Sequence, residues 1–315
     1  MISSLEHISF EAVSSPEQVS YSQFRKTLAP IYKKVWIHIG VGYLLLVLPF
    51  IATAFVSGLS NNWWLAPLFC LWFGYVLAYL HLFVHEAAHF NIHPDKKKND
   101  TLASWLLCSL FALDIKKYRT THWQHHLHLA TPGDKEISYF NALTLSFILK
   151  VLTGLHTINI ILHRKESNPS KKKDNTITGL LLFILVQLIL CSLAFASGGY
   201  VMLCAWLVGL LLVFPFFATL RQILEHREDN AGNQKEYYNA PQNTISRLFG
   251  NDIASRTFGG AGFNRHLLHH WDPHISYTRL NDVFAFLSRA EATKAIVTEA
   301  QTSYLKAFRT LFFIR

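Results

Sequence analysis

Nine histidines stand at spacings that suit shared metal ions. Eight form three clusters: His85-Glu86-Ala87-Ala88-His89, His122-Trp123-Gln124-His125-His126 and His266-Leu267-Leu268-His269-His270. On a helix, residues three or four apart share a face, with Cβ atoms about 5–6 Å apart. Each cluster can therefore offer two or three imidazoles from one helical wall. The ninth, His226, ends the run Arg221-Gln222-Ile223-Leu224-Glu225-His226. Nine imidazoles are enough for two metal ions and too many for one, and imidazole-rich sites suit Fe, Zn, Cu or Ni. A metal-bound imidazole needs an acceptor for its other ring nitrogen. Glu86, Glu225 and Asp272 are the nearest such acceptors in the sequence.

The other histidines read differently. His7, His38, His156 and His163 are isolated and read as ordinary polar residues. His81 lies one turn before His85 on the same helical face, but deeper in an apolar run. His93 and His128 read as flanking residues. His274, in Trp271-Asp272-Pro273-His274, reads as a support or structural residue.

The elements that must position these clusters are apolar. Of 315 residues, 51% are hydrophobic and 16% charged, against about 25% charged in soluble domains; the mean hydropathy is +0.21. Four runs are long enough to cross about 30 Å of hydrocarbon: Val35–Ser57, Trp63–Val84, Thr176–Ser197 and Tyr200–Leu220. The short turns Gly58–Asn62 and Gly198-Gly199 pair them into two hairpins.

Lys and Arg collect on cytoplasmic loops. None lies between Val35 and Asp95 or between Asp174 and Leu220. With the N-terminus inside, both hairpin turns face outward without a basic residue, and all three histidine clusters fall on the cytoplasmic side. The stretch Leu102–Leu113 is too short to span, and reads as re-entrant, interfacial or packed on other helices. Tyr139–Leu162 is long enough but contains Asn141, Lys150, His156 and Asn159. Spanning there would move Arg164, Lys165, Lys171, Lys172 and Lys173 outside and separate the clusters, so it reads as an interfacial segment.

The expected fold is therefore all-α and integral to the membrane. It has four transmembrane helices in two hairpins, plus a cytosolic helical cap carrying the histidine clusters. Residues 1–34 read as a cytosolic N-terminal segment and 35–315 as one membrane domain. The polar N-terminus lacks the charged-then-apolar order of a signal peptide. The net charge of +9 flanks apolar runs, which points to an anionic membrane surface and not to nucleic acid. The four cysteines, Cys70, Cys108, Cys191 and Cys204, lie in apolar runs without a CxxC pair and read as buried thiols.

At the three clusters the sequence resembles the membrane fatty acid desaturase family, whose hallmark is HxxxH or HxxxxH, then HxxHH, then HxxHH or QxxHH. Here the boxes read HEAAH, HWQHH and HLLHH, in that order. Asn99-Asp100, Glu225-His226 and the stretch from Pro273 to Leu280 also look familiar, so that the likeness runs from Trp63 to about Leu280. The resemblance implies two iron ions, O2 as co-substrate, and removal of hydrogen from an unactivated C–H bond of a lipid or fatty acyl substrate. Carried over, the ligands would be His85, His89, His122, His125, His126, His226, His266, His269 and His270. Gln222, one turn before His226, would hold an iron-bound water. No fused cytochrome b5 domain is present, so the resemblance implies a separate electron donor of ferredoxin or cytochrome b5 type. The HxxxH first box departs from the HxxxxH of acyl-CoA Δ9 enzymes, and His266 departs from the Gln of front-end desaturases.

Three other readings share parts of the pattern. A hydroxylase, ketolase or alkane monooxygenase on the same scaffold uses the same boxes. His85-Glu86-Ala87-Ala88-His89 also fits the HExxH zinc protease signature, with Glu86 as general base, but a single zinc with three protein ligands leaves the other two clusters and His226 without a role. A transporter or receptor would place ionisable groups inside the spans, and these spans carry almost none.

Overall fold

A computed structural model describes residues 5, 8–56, 58–60, 62–166, 176–227 and 246–313. His7, the side chain of His163, and Lys171, Lys172 and Lys173 lie outside the described residues. Along the chain the helices are α1 (Tyr21–Arg25), α2 (Tyr32–Phe55), α3 (Ala66–Ala88), α4 (Lys96–Leu106), α5 (Ile115–His128), α6 (Leu145–Leu152), α7 (Leu155–Glu166), α8 (Thr176–Val208), α9 (Phe214–His226), α10 (Ile253–Phe258), α11 (His266–Trp271), α12 (Leu280–Leu287), α13 (Lys294–Glu299) and α14 (Tyr304–Phe312). The chain forms two compact units, one of residues 36–121 and 145–220, the other of residues 1–35, 122–144 and 221–315.

The first of these units is the apolar one. Its core gathers Leu46, Phe50, Phe73, Leu77, Leu80 and Trp206, all of them buried. Phe73 stacks on Phe50 at 5.1 Å and meets the edge of Trp206 at 5.3 Å. Between α8 and α9 the helix widens into a π turn, Gly209–Val213. A Cβ on Gly209 would lie 2.7 Å from the Phe73 Cβ and 3.2 Å from the Cys70 carbonyl. The missing side chain is what lets this turn lie against the backbone of α3, as small residues do in membrane helix pairs.

Among the described residues three stretches are long and apolar enough to cross a membrane: Tyr32–Phe55, Trp63–Ala88 and the 50-residue Ile177–His226. The third covers both runs expected from Thr176 to Leu220 and breaks at Gly198 and Gly199, where the backbone leaves helical geometry (Gly199 φ +60°). Trp206 Nε1 donates to Gln187 Oε1 at 3.1 Å. In one straight helix those residues would stand roughly 28 Å apart at 1.5 Å per residue, so the chain doubles back at the two glycines. α3 begins with Pro in its first turn, where the missing N–H costs nothing. It runs on past Val84 to Ala88, so the first histidine cluster ends the helix itself and does not follow it.

The two ambiguous stretches resolve into short pieces. Leu102–Leu113 finishes α4 and adds a 3-10 turn, Cys108–Leu110, whose residues are buried. Tyr139–Leu162 is no continuous helix: α6 and α7 meet at 86°. 

The described residues of the second unit form short helices and one parallel pair of strands, β1 (Leu248–Phe249) and β2 (Gln301–Thr302), in register Leu248 with Gln301. The chain's first residues fold onto α11. Phe10 and Tyr21 pack on Trp271 at 4.8 and 4.5 Å, Phe24 stacks on Phe286 of α12 at 4.4 Å, and Trp271 Nε1 donates to the Ile8 carbonyl at 3.3 Å.

Candidate metal centre

Within this second unit seven of the nine predicted ligands gather in two groups. His125 from α5, His226 at the end of α9, and His266 and His270 from α11 place their ligand nitrogens within 4.8 Å of one another. The Nε2 atoms of His226 and His266 are 2.8 Å apart, those of His125 and His226 3.2 Å, and those of His266 and His270 3.2 Å. Beside them, His126 Nε2 stands 3.0 Å from His122 Nε2 and 3.1 Å from His269 Nε2. Nitrogens about 2.1 Å from one ion at right angles lie about 3.0 Å apart, so both groups have the spacing of adjacent metal ligands.

The outer faces of two rings explain why the inner faces carry lone pairs. His125 Nδ1 is 2.9 Å from Asp134 Oδ2, and His122 Nδ1 is 3.0 Å from Glu136 Oε1. A proton held between Nδ1 and a carboxylate leaves Nε2 as a bare acceptor. Each of these two nitrogens thus offers a lone pair toward the ring that faces it. A cation among them fits the donor set.

Burial opposes charge throughout the set and prevails at four of its rings. His266, His269 and His270 are held well below the ordinary histidine pKa, first by burial and then by neighbouring imidazoles. His122 is lowered too, by burial, against the pull of Glu136. Burial also opposes charge on His125, but there Glu136 and Asp134 outweigh it and the pKa rises.

The loop after α5 supplies these carboxylates. Asp134 is buried, accepts the Tyr139 hydroxyl, and receives the Glu136 backbone N–H at 2.7 Å. Arg227, fully buried, donates to the carbonyls of Tyr139 at 2.8 Å and Asn141 at 2.6 Å, tying the end of α9 to this loop. Sequence reading missed Asp134, Glu136 and Tyr139. The signal was available: Asp134 and Glu136 are the acidic residues that directly follow the second box, with no other before Glu166.

The predicted supporting residues divide. Gln222 Nε2 donates to Glu136 Oε2 at 2.6 Å, so it braces the acceptor of His122. Glu225 is buried, with Oε2 3.8 Å from His266 Nε2 and Oε1 accepting from the Tyr304 hydroxyl at 3.3 Å. Tyr304 itself stacks on Phe249 of β1 at 3.7 Å. Asp272 is placed otherwise. Its carboxylate receives Arg25 Nε at 2.5 Å, Arg25 Nη2 at 3.0 Å, the Tyr21 hydroxyl at 3.0 Å and the His274 backbone N–H at 3.3 Å. It fastens the N-terminal segment to the end of α11 in place of holding an imidazole.

His85 and His89 belong to the apolar unit. His85 lies in the last turn of α3 and His89 is the residue that closes it. Both are buried, and their rings are 4.9 Å apart. His85 Nδ1 is 3.4 Å from Glu86 Oε1, and Glu86 Oε2 accepts from Asn91 Nδ2 at 3.1 Å. Among the described residues His38, His81, His93, His128, His156 and His274 stand outside the imidazole groups. His81 is ringed by Phe111, Tyr118 and Phe214 at 5.2–5.7 Å.

A family model for fatty acid desaturase matches residues 61–301. The chain belongs to the fatty acid desaturase family. Comparison with curated proteins finds no match. Membership joins the apolar helices and the imidazole groups into one picture, an oxidoreductase of the lipid desaturase or oxygenase type in a membrane. In this desaturase-family chain the loop at 134–139 matters as much as the second box it follows. It fixes which nitrogen of His122 and His125 faces inward.

Proposed function

We propose that this protein is a membrane-bound, di-iron, O2-dependent desaturase that introduces a double bond into a fatty acyl chain. The observation that carries the reading is the presence of two imidazole groups in one compact unit, each containing a ring anchored by a carboxylate. One ion would be held by His125, His226, His266 and His270. The other would be held by His122, His126 and His269, with His85 and His89 added on the family's first-box pattern. A one-zinc protease has no use for this many rings.

Iron, when bound, supplies the activation of O2 needed to take hydrogen from an unactivated methylene. The chain's own residues do the rest. Asp134 and Glu136 hold the Nδ1 protons of His125 and His122, so those rings cannot turn or change tautomer. Gln222 steadies Glu136, and Glu225, Tyr304 and Phe249 pack the approach to His266. Burial of His122, His125, His226, His266 and His269 at 1–3% exposure keeps bulk water from these five rings, and shielding of this kind is what an oxidant of this strength requires.

The topology proposed has four crossings, with Ile177–His226 counted as two, and α6 and α7 lying along the interface. N- and C-termini and the active site face the cytoplasm, because Lys and Arg are absent from the turns that would otherwise lie there. Electrons come from a separate carrier of ferredoxin or cytochrome b5 type. The excess of basic over acidic residues, 29 against 20, would attract an acidic donor.

Lipid profiling of cells expressing the protein, against a His269→Ala control, tests the function. Loss of two hydrogens from an acyl chain supports desaturation, and gain of one oxygen reassigns the chain to the hydroxylases. Identical profiles across lipid classes would refute both. Elemental analysis should find about two irons per chain, in line with the ligand count, and one zinc would return the protease reading.

A further inference from the structure

The first histidine box ends a helix, and helix ends leave carbonyls without partners. Here two of those carbonyls are taken by side chains from elsewhere. The Ala87 carbonyl receives Asn99 Nδ2 at 2.9 Å and Arg119 Nη2 at 3.1 Å. The Ala88 carbonyl receives Arg119 Nε at 2.8 Å. The same guanidinium forms a forked pair with Asp100, Nη2 to Oδ1 at 2.5 Å and Nη1 to Oδ2 at 3.2 Å. Its plane covers the Phe90 ring at 3.8 Å. Phe90 follows His89 directly and has φ +61°, a left-handed conformation that non-glycine residues rarely hold. Asn99 is fully buried and its Oδ1 also receives the Ile92 N–H at 3.3 Å.

Arg119 sits in the second turn of α5, three residues before His122. One planar group therefore binds the closing turn of the first-box helix, the aromatic residue after it, and the helix from which the second box continues. Every contact named is inside one compact unit. Neither the box pattern nor the carboxylates around the second box accounts for it.

We propose that Arg119 is a positioning residue for the metal centre. Its fork fixes the end of α3 against the start of α5, and so sets where His85 and His89 present their nitrogens. This rests on the di-iron reading above. The geometry is specific to arginine: a planar fork reaches two carbonyls and a carboxylate at once, whereas a lysine ammonium is a point charge on a flexible stem.

The test is iron retention in purified, detergent-solubilised full-length protein. Iron per chain and the rate of iron loss to a ferrous chelator are measured for the parent, Arg119→Lys and Asp100→Asn. Thermal melting is measured on each after stripping. Arg119→Lys is expected to release part of its iron faster by up to about 10-fold, at the low end of what loss of a ligand's direct outer partner causes, because Arg119 acts through the Ala87 and Ala88 carbonyls. The stripped protein should melt near the parent. Asp100→Asn keeps the carbonyl contacts but loses the charge that aims the fork, and should shift release in the same direction by less. It also carries the test should Arg119→Lys fail to fold. Parent-like release in the variant that folds overturns the proposal, and so does faster release fully matched by a fall in the melting of stripped protein. A parent protein that never holds iron refutes the di-iron reading instead, whatever Arg119 does.

Discussion

Replacing Asp134 with Asn changes one atom and one charge at the buried end of His125, and the structure fixes what is lost. Asp134 Oδ1 receives the Glu136 N–H at 2.7 Å, and both oxygens lie within 3.0 Å of His125 Nδ1. Oδ2 also accepts the Tyr139 hydroxyl, which in turn receives the Ala130 N–H at 2.9 Å. An amide can still accept from His125 and Glu136 through its oxygen. Its NH2 then meets the Tyr139 oxygen, so the bond that hydroxyl donated to Asp134 is lost, and a charged Asp134 no longer joins Glu136 and Glu225 in making His125 a stronger base. Loss of such an outer carboxylate costs about 10–100-fold in metal affinity, or about 1.4–2.8 kcal/mol at about 1.4 kcal/mol per tenfold. Tyr139→Phe removes only the hydroxyl and leaves the carboxylate on His125, so it should retain metal better. The assay is the rate of iron transfer from purified protein to a ferrous chelator, read beside a melting curve. Parent-like release from Asp134→Asn, in protein that melts normally, would refute the claim that Asp134 holds His125 for the metal. So would equal release from Tyr139→Phe.

Protein stripped of metal should lose stability as pH falls below about 6.5, the ordinary histidine value. Burial lowers the folded-state pKa of His266, His269 and His270, so below that pH the unfolded chain binds protons that the folded chain refuses, at up to about 1.4 kcal/mol per pH unit for each ring. A melting temperature that stays level from pH 8 to 5 would contradict this. Gly209→Val should destabilise the apolar unit by roughly 1–3 kcal/mol through overpacking, because the added Cβ alone would come within 2.7 Å of the Phe73 Cβ; unchanged melting in detergent would count against the close approach of the π turn to α3. Finally, Gln187→Cys with Trp206→Cys should be bridged by a short bifunctional thiol reagent, since the native side chains meet tip to tip at 3.1 Å and their truncation leaves a gap that a direct disulfide does not span. Failure to cross-link, with both thiols accessible, would favour a straight helix over the fold-back at Gly198-Gly199.

What the sequence made legible was local. Apolar length and freedom from charge marked the spans, and spacings of three and four marked the histidine faces, because both are properties of a single helix. The apolar run ends at Val84, but the helix does not. His85 and Glu86 look polar after an apolar run, yet the helix continues beneath them because Asn99 and Arg119 take its last carbonyls. Those partners lie 12 and 31 residues away from the carbonyls they meet, and no periodicity announces them.

The supporting carboxylates show the same limit from the other side. Asp272, two residues after His270, looks like a partner for the third box, while Asp134 is eight residues beyond His126 with a Pro-Gly turn between. Distance in sequence ranks them in one order and the fold in the other. Asp272 stands three residues after His269, but it closes α11 with non-helical backbone (φ −134°, ψ 85°), so the face-sharing of a helix does not carry to it. Asp272 accordingly turns to Arg25, 247 residues away, and serves α11 by tying down its end. Asp134 returns because its loop folds back beneath α5, with Arg227, the residue after His226, gripping the carbonyls of Tyr139 and Asn141. The histidine that ends α9 and the second-box carboxylates are thus fixed by adjoining parts of one loop. A change at Arg227 should therefore be felt at His125 and His122 as well as at His226, although it touches no imidazole among its described hydrogen bonds.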